Sequence, residues 1–459
     1  MSRRGSELRL SVAFAFLLLV HSFAVSQTPT QAARVGQFYA VKDGFSGNVV
    51  VFRDGHILSD QSYGLADVEL NVPITATTRF AIGSVTKQFT AAAILLLQEK
   101  GLLHTTDKLS QHYPATPDAW KNITLQQLLR HTSGIPDGVM ARGPAGFEQG
   151  QHSPQDVIES VASRPLLFPP GSRMQYDNIG YLLLGLVIER VSGQSYTDFL
   201  QTHFFTPLHM TDTGLGSTNA ILLHRAYGYE PVGAALFTAS PVPFTSAFAA
   251  GGLYSTGKDI AKWLIALHGG RVLKPDSYRE MITPGLDDFA YGLRLTKQSG
   301  QTDISHDGRV SGFASETEYF PATKTGIVIL SNKLAGDFTP GTTALDTDLT
   351  HLATSRNPAV RSLGTSHYVS ADILSRYVGS YPVPGEPSIL ATLKDGRLIF
   401  TRDGKDPEML IPQSETSFYM KDREIEIEFH QDGHGSWSMD VFTLPGESMV
   451  TLKKDPDKH

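Results

Sequence analysis

The 459 residues contain no cysteine. That excludes disulfides, iron–sulfur clusters, thiolate zinc sites and a cysteine nucleophile. Positive charge is scarce too: 39 Lys and Arg stand against 46 Asp and Glu, for a net charge of −7, so no cationic face is offered to phosphate backbones. Nucleic acid is therefore not an expected partner. No Gly-x-Ser-x-Gly elbow occurs, which disfavours an α/β-hydrolase. No His-Glu-x-x-His or clustered His/Asp spacing occurs either, which disfavours a zinc hydrolase; neither metal nor cofactor is expected. Long apolar runs are also missing. Leu10 to Val20 is apolar but for Ser11, and Tyr181 to Ile188 is shorter still. Both fall below the roughly 20 residues that a membrane-spanning helix needs. There is no internal repeat and no low-complexity segment. With 41% hydrophobic and 19% charged residues the composition is that of a globular chain, long enough for two or three domains of ~150 residues.

Residues 1–26 read as an export signal. Arg3, Arg4 and Arg9 form a positive start, the apolar run follows, and Ala24-Val25-Ser26 supplies small residues at both cleavage-defining positions. The expectation is a secreted or periplasmic protein without a transmembrane span.

Along the remaining chain, Asn48 to Arg53 alternates toward an Asp54-Gly55 turn and resumes at His56, a hairpin signal. Helical periodicity runs from Ser84 to Lys100, stopped by Gly101, and returns at Thr124–Arg130, Asn178–Val191 and Thr256–Leu267. Strands are expected at Phe313–Phe320 and Ile327–Leu330. Strands early and late with helices between them predict an α+β fold, an antiparallel sheet flanked by helices with helical material inserted in the middle. That domain spans residues 27–355. Residues 356–370 read as a linker, and 371–459, with Asp-Gly turns and the alternation of Ile425, Ile427 and Phe429 with glutamates, read as a small antiparallel β domain, a barrel or sandwich.

Chemistry concentrates at three places. Gly83-Ser84-Val85-Thr86-Lys87 opens the first long helix, and the i, i+3 spacing puts Ser84 and Lys87 on one face. A serine hydroxyl is a weak nucleophile until a neighbour takes its proton, and a desolvated lysine at a helix N-terminus can do so. A second Ser-x-x-Lys, Ser255 to Lys258, reads as a helix cap, with Asp259 three residues after Thr256. Tyr176-Asp177-Asn178 follows a Pro170-Gly171 turn and precedes an apolar helix. Its tyrosine suits proton transfer to a leaving group, and its asparagine suits holding a substrate amide or Lys87. His306-Asp307-Gly308-Arg309 precedes a strand, where Gly308 permits close approach and the Arg309 N–H is a candidate oxyanion donor. His131 to Pro136 is a tight turn that supports the floor of the site.

Ser-x-x-Lys, Tyr-x-Asn and His-x-Gly in this order resemble the serine β-lactamase and penicillin-binding-protein family, in the branch of class C β-lactamases and D-alanyl-D-alanine carboxypeptidases. Leu129 to Gly134, Pro170-Gly171 and Gly251-Gly252-Leu253 fit that branch, and the likeness covers about residues 35 to 350. The resemblance implies a β-lactamase/transpeptidase-like fold and a hydrolase acting through a Ser84 acyl-enzyme on an ester, amide or D-amino-acid peptide bond. Lys87 would activate Ser84, Tyr176 would be the general acid/base, and Asn178, His306, Gly308 and Arg309 would bind substrate. Which of Lys87 and Tyr176 takes the first proton stays open. The Ser84 and Arg309 amides would form the oxyanion hole. A slow penicillin-binding or peptidoglycan-fragment-binding protein would carry the same motifs. Lys324-Thr325-Gly326 imitates the third motif but lies in the turn between two strands, so Lys324 is expected in solvent. A neutral His306 in place of a lysine weakens the call on a substrate carboxylate. The C-terminal domain loosely resembles the lipocalin-like barrels appended to some members.

Overall fold

The computed structural model describes residues 31–137, 152–232, 235–298, 300–334, 342–354, 369–394, 396–402, 407–412, 414–420, 425–431, 435–443 and 449–456. The expected export signal, nearly all of the expected linker and the Asp403-Gly404 and Asp432-Gly433 turns lie outside them. Two compact units emerge, residues 39–346 and residues 347–459, the second joined by residues 33–38.

In the first unit, β1 (Gly47–Arg53) and β2 (His56–Tyr63) are the expected hairpin. Asp54 and Gly55, at φ +50 and +80, make its turn, the left-handed pair that a two-residue hairpin demands. The helices that position the site are α1 (Thr86–Glu99), α2 (Ile179–Ser192), α3 (Phe244–Gly251) and α4 (Gly257–His268). The later strands are β3 (Arg294–Gln298), β4 (Gln301–Val310), β5 (Phe313–Phe320) and β6 (Thr325–Ser331). They form one six-stranded sheet in the order β3-β4-β5-β6-β1-β2, antiparallel at every pairing. The chain's first and last strands of this unit thus meet at its centre, Val50 opposite Val328. The central strands are buried almost throughout, as their unbroken Val and Ile runs require. Helix α4 packs on β1 and β6, and α1, α2 and α3 pack on one another.

Helix α1 is buried on nearly every side, from Thr86 to Leu95 without interruption. Its polar residues are therefore all spoken for. Gln88 accepts from Trp263 Nε1 at 3.0 Å and donates to Thr317 Oγ1 at 2.9 Å, and Thr317 donates to His306 O at 2.8 Å. This buried chain ties α4, α1, β5 and β4 together behind the candidate site. Among the described residues no helix is long and apolar enough to cross a membrane.

The second unit has its own core, in which Tyr377 stacks on Phe429 at 4.1 Å and Tyr381, Phe400, Phe418 and Met439 close around them. The expected small antiparallel β domain, a barrel or sandwich, is present; among the described residues its strands pair as a four-stranded and a five-stranded sheet that do not close into one barrel. Among the described residues Leu410 N–H donates to Leu398 O at 2.9 Å at one corner and Asp455 N–H to Ser380 O at 2.8 Å at the other. The strands flanking the first corner are two residues long, too short to carry a ladder around it.

Candidate active site

The chain enters α1 through a 3-10 turn, Gly83–Val85, with Gly83 at φ +49. Ser84 caps neither this turn nor α1. Its hydroxyl instead faces Lys87, whose side chain is 0% exposed. Lys87 Nζ donates to Ser84 Oγ at 3.0 Å, to Asn178 Oδ1 at 2.8 Å and to Ala250 O at 2.7 Å. Burial drives the Lys87 pKa down to about 7, against the pull of the Asp137, Asp177 and Asp307 charges. Near neutrality a large share of the amine is therefore uncharged, with its lone pair free to face Ser84.

Tyr176 approaches the same oxygen, donating its hydroxyl to Ser84 Oγ at 2.8 Å. Its ring stacks on His131 at 4.3 Å between centroids. His131 is 1% exposed and left-handed at φ +56, and its Nδ1 accepts the Asp177 N–H at 3.3 Å. Burial pushes the Tyr176 pKa upward, and Asp307, Asp137 and Asp177 push the same way. The hydroxyl is thus a phenol in the resting site. Asn178 occupies the N-cap position of α2 without capping it; its Nδ2 donates to Asp137 Oδ2 at 3.0 Å. Asp177 accepts the Gly180 N–H at 2.6 Å.

The third element is β4. Strand β3 pairs with β4 only as far as Ser305, which leaves 306–310 as an edge lying against the Ser84 turn. Ser311 and Gly312, at φ +29 and +81, form a two-residue hairpin with Val310 opposite Phe313. The alternation of an antiparallel ladder then turns the Arg309 main chain toward that edge. The fit is tight: a Cβ on Gly308 would stand 2.2 Å from Ile82 O and 3.0 Å from Ser84 N, and one on Gly83 would stand 2.9 Å from Arg309 N. Gly308 was expected to admit substrate; the group that comes close to it here is the nucleophile's own turn. His306 is 6% exposed, inside a ten-residue strand. Burial holds its pKa down at about 4 despite the neighbouring Asp307. The Arg309 guanidinium lies 3.6 Å from Asp307.

Ser84, Lys87, Tyr176 and Asn178 thus meet directly, with His306, Gly308 and Arg309 along one side. Both decoy motifs lie elsewhere. Thr256 caps α4 by accepting the Asp259 N–H at 3.2 Å, and Lys258 is exposed. Lys324 is exposed at the β5–β6 turn, with φ +49. Three contributors were not read from the sequence as partners of the catalytic groups: Ala250 O, Asp137, and His131 as the stacking surface for Tyr176. Ala250 O reaches Lys87 because α3 breaks at Phe248, φ +34, and frees its last carbonyls.

The family model described as Beta-lactamase matches residues 34–350. The chain belongs to this family. Among its curated relatives is the putative penicillin-binding protein PbpX of Bacillus subtilis (strain 168), 31% identical over 294 residues, 64% of this chain and 72% of the relative. Penicillin-binding protein 4* of the same organism is 28% identical over 417 residues, 84% of this chain and 90% of the relative. Among solved structures, the D-amino acid amidase from Ochrobactrum anthropi SV3 complexed with L-phenylalanine amide superposes with a TM-score of 0.62 at 26% identity, covering 70% of this chain and 95% of the amidase. The first unit is thereby a β-lactamase/transpeptidase-like α+β fold, and family members of this kind are serine hydrolases.

Proposed function

We propose that this Beta-lactamase family member is an exported serine hydrolase that forms an acyl-enzyme on Ser84 and cleaves an ester, amide or D-amino-acid peptide bond. One observation carries the reading: Lys87 Nζ and Tyr176 OH both stand within hydrogen-bond distance of Ser84 Oγ, at 3.0 and 2.8 Å.

The two groups divide the work by protonation state. Lys87, with its pKa at about 7, is the group able to take the Ser84 proton as Oγ attacks the acyl carbon. Tyr176, raised above an ordinary phenol, keeps its proton until the leaving group needs one. The Lys87 ammonium, 4.9 Å from the Tyr176 ring, stabilises the developing phenolate charge and returns the proton. The amides of Ser84 and Arg309, brought together by Gly83 and Gly308, suit the developing oxyanion. Water then attacks the ester, its proton passing through the Tyr176 hydroxyl to neutral Lys87, and the Lys87 ammonium protonates Ser84 Oγ as the acyl bond breaks.

Intact-protein mass spectrometry after exposure to a penicillin and to a fluorophosphonate tests this. A single adduct on the wild type and none on Ser84→Ala is the expected result, in a protein recovered from the periplasm or medium without residues 1–26. A penicillin adduct that persists marks slow deacylation, and one that clears marks a β-lactamase. Labelling by the fluorophosphonate alone marks an esterase, amidase or peptidase. No adduct from either reagent overturns the reading.

A further inference from the structure

A cavity of about 370 Å³ in the first unit is lined by none of the candidate catalytic or substrate-binding residues. Much of its wall is apolar, with Leu222, Val242, Phe244 and Phe313, and two cations, Arg79 and Arg225, stand on it. Their backbones run side by side. The Arg79 N–H donates to His224 O at 2.8 Å and the Ala226 N–H to Arg79 O at 3.0 Å, so the two arginines pair across a parallel bridge. Like charges on neighbouring strands repel, and arginine keeps its charge at any working pH.

Little in the protein answers that charge. Arg79 Nη2 donates to Asp212 Oδ1 at 2.7 Å, while its Nε is buried without a hydrogen-bond partner among the described residues. Arg225 Nη2 donates to the Ser217 carbonyl at 2.8 Å, a neutral acceptor. Of the five N–H donors on each side chain, the described residues thus engage one. Glu69, at the Thr238 end of the cavity, is already held by Tyr229 OH at 2.5 Å and Thr238 Oγ1 at 2.9 Å. Each guanidinium is set over a lining ring, Arg79 over Tyr254 at 5.8 Å and Arg225 over Phe244 at 5.6 Å. Those rings fix its place without using its N–H donors.

A guanidinium fork matches a planar carboxylate, and an apolar wall matches a hydrocarbon body. The lining comes nearest the catalytic groups in sequence at Ala81 and Ser311, and the Ser84 turn is not part of it. We propose that this cavity is a second ligand site, separate from Ser84, for a small monocarboxylate with an apolar body. Its carboxylate bridges Arg79 and Arg225, and its hydrocarbon part lies on Leu222, Val242, Phe244 and Phe313. The anion relieves the repulsion between the two arginines, so charge and chain both contribute to binding.

Isothermal titration calorimetry of the full chain with octanoate, octanamide and acetate tests it. Octanoate should bind once per chain and at least tenfold more tightly than octanamide, which has the chain without the charge. Acetate, which has the charge without the chain, should be weaker by at least the same factor. Arg225→Gln, at a half-buried position, should weaken octanoate at least tenfold and leave octanamide within twofold. Arg79→Lys, which keeps a cation beside Asp212 but loses the fork, should weaken octanoate several-fold. Octanoate affinity unchanged in either variant overturns the proposal, and so does equal binding of octanoate and octanamide, or no binding of octanoate. Blocking Ser84 with the fluorophosphonate should leave octanoate affinity within twofold. Loss of binding on blocking places the ligand at Ser84 and overturns the separate site. Failure of the label to attach removes the hydrolase reading alone, and the Arg225→Gln comparison still decides this proposal.

Discussion

Lys87 is the residue on which most of the chemistry turns, because its environment is closed on all sides. Desolvation favours the neutral amine, while Asp137, Asp177 and Asp307 favour the ammonium, and the balance falls at about 7. The base is the deprotonated form, so fluorophosphonate labelling should rise with pH through about 7 and level off above 8. At pH 6 it should be about a tenth of the plateau, since one unit below the pKa leaves ~10% free base. Lys87→Arg, which cannot deprotonate, should label at least ~10²-fold more slowly at every pH tested, in line with the usual loss of a general base. A pH-independent rate for the wild type would assign proton removal to another group. The motif residues were legible in the sequence because each is a side chain at short, fixed spacing from another. Ala250 O and Asp137 were not. A carbonyl has no side chain to read, and Asp137 acquires its role only when the turn after His131 folds beneath α2.

At the scale of elements, β4 is the part that sequence patterning caught least. Its residues, Gln301 to Val310, are largely polar, and β3 before it reads Arg-Leu-Thr-Lys-Gln. Neither shows the apolar alternation of a half-buried strand, because β3 is the sheet edge and edges are kept polar. The β1–β2 and β5–β6 hairpins, whose strands alternate or run apolar, were anticipated. The consequence is an active-site strand located by its Gly308 rather than by its periodicity. Gly308→Ala should test the tight seam between β4 and the Ser84 turn. With Ile82 O at 2.2 Å from the new methyl, the two backbones must part, at a cost of ~1–3 kcal/mol. Because the parted amides are the candidate oxyanion donors, kcat should fall by 10²-fold or more while thermal unfolding shifts by only a few degrees. A variant with wild-type kcat would show that the seam does not set the oxyanion geometry.

For the whole molecule, buried titratable groups set two opposing limits on stability. His268 stacks on Tyr319 at 4.0 Å and its pKa is pushed down to about 3 by burial. In the unfolded chain a histidine titrates near 6.5. Below that value the unfolded state binds a proton that the folded state refuses, so stability is full above about 6.5 and is lost as pH falls. At pH 5 this one residue costs about 2 kcal/mol. Glu316 acts in the opposite direction. Burial, reinforced by Asp307, raises its pKa from 4.5 to about 8, so the folded state holds a proton that the unfolded chain has released. Its penalty is absent below 4.5, grows as pH rises and is complete above 8. Thermal midpoints from pH 3 to 8.5 should therefore trace a dome with a level top between about pH 4.5 and 6.5, where the two slopes cancel; His268 sets the flank below it and Glu316 the flank above it. Glu316→Gln should raise the midpoint at pH 8.5 by several degrees and change it little at pH 5, whereas His268→Phe, which keeps the stacking surface, should flatten the acid flank and leave the alkaline one. If Glu316→Gln stabilises equally at both ends, the gain comes from packing or hydrogen bonding and not from the trapped proton. In that case the carboxyl opposite Asp307 is ionised in the folded protein, and the edge that faces the substrate carries one more negative charge than a neutral Glu316 would give it.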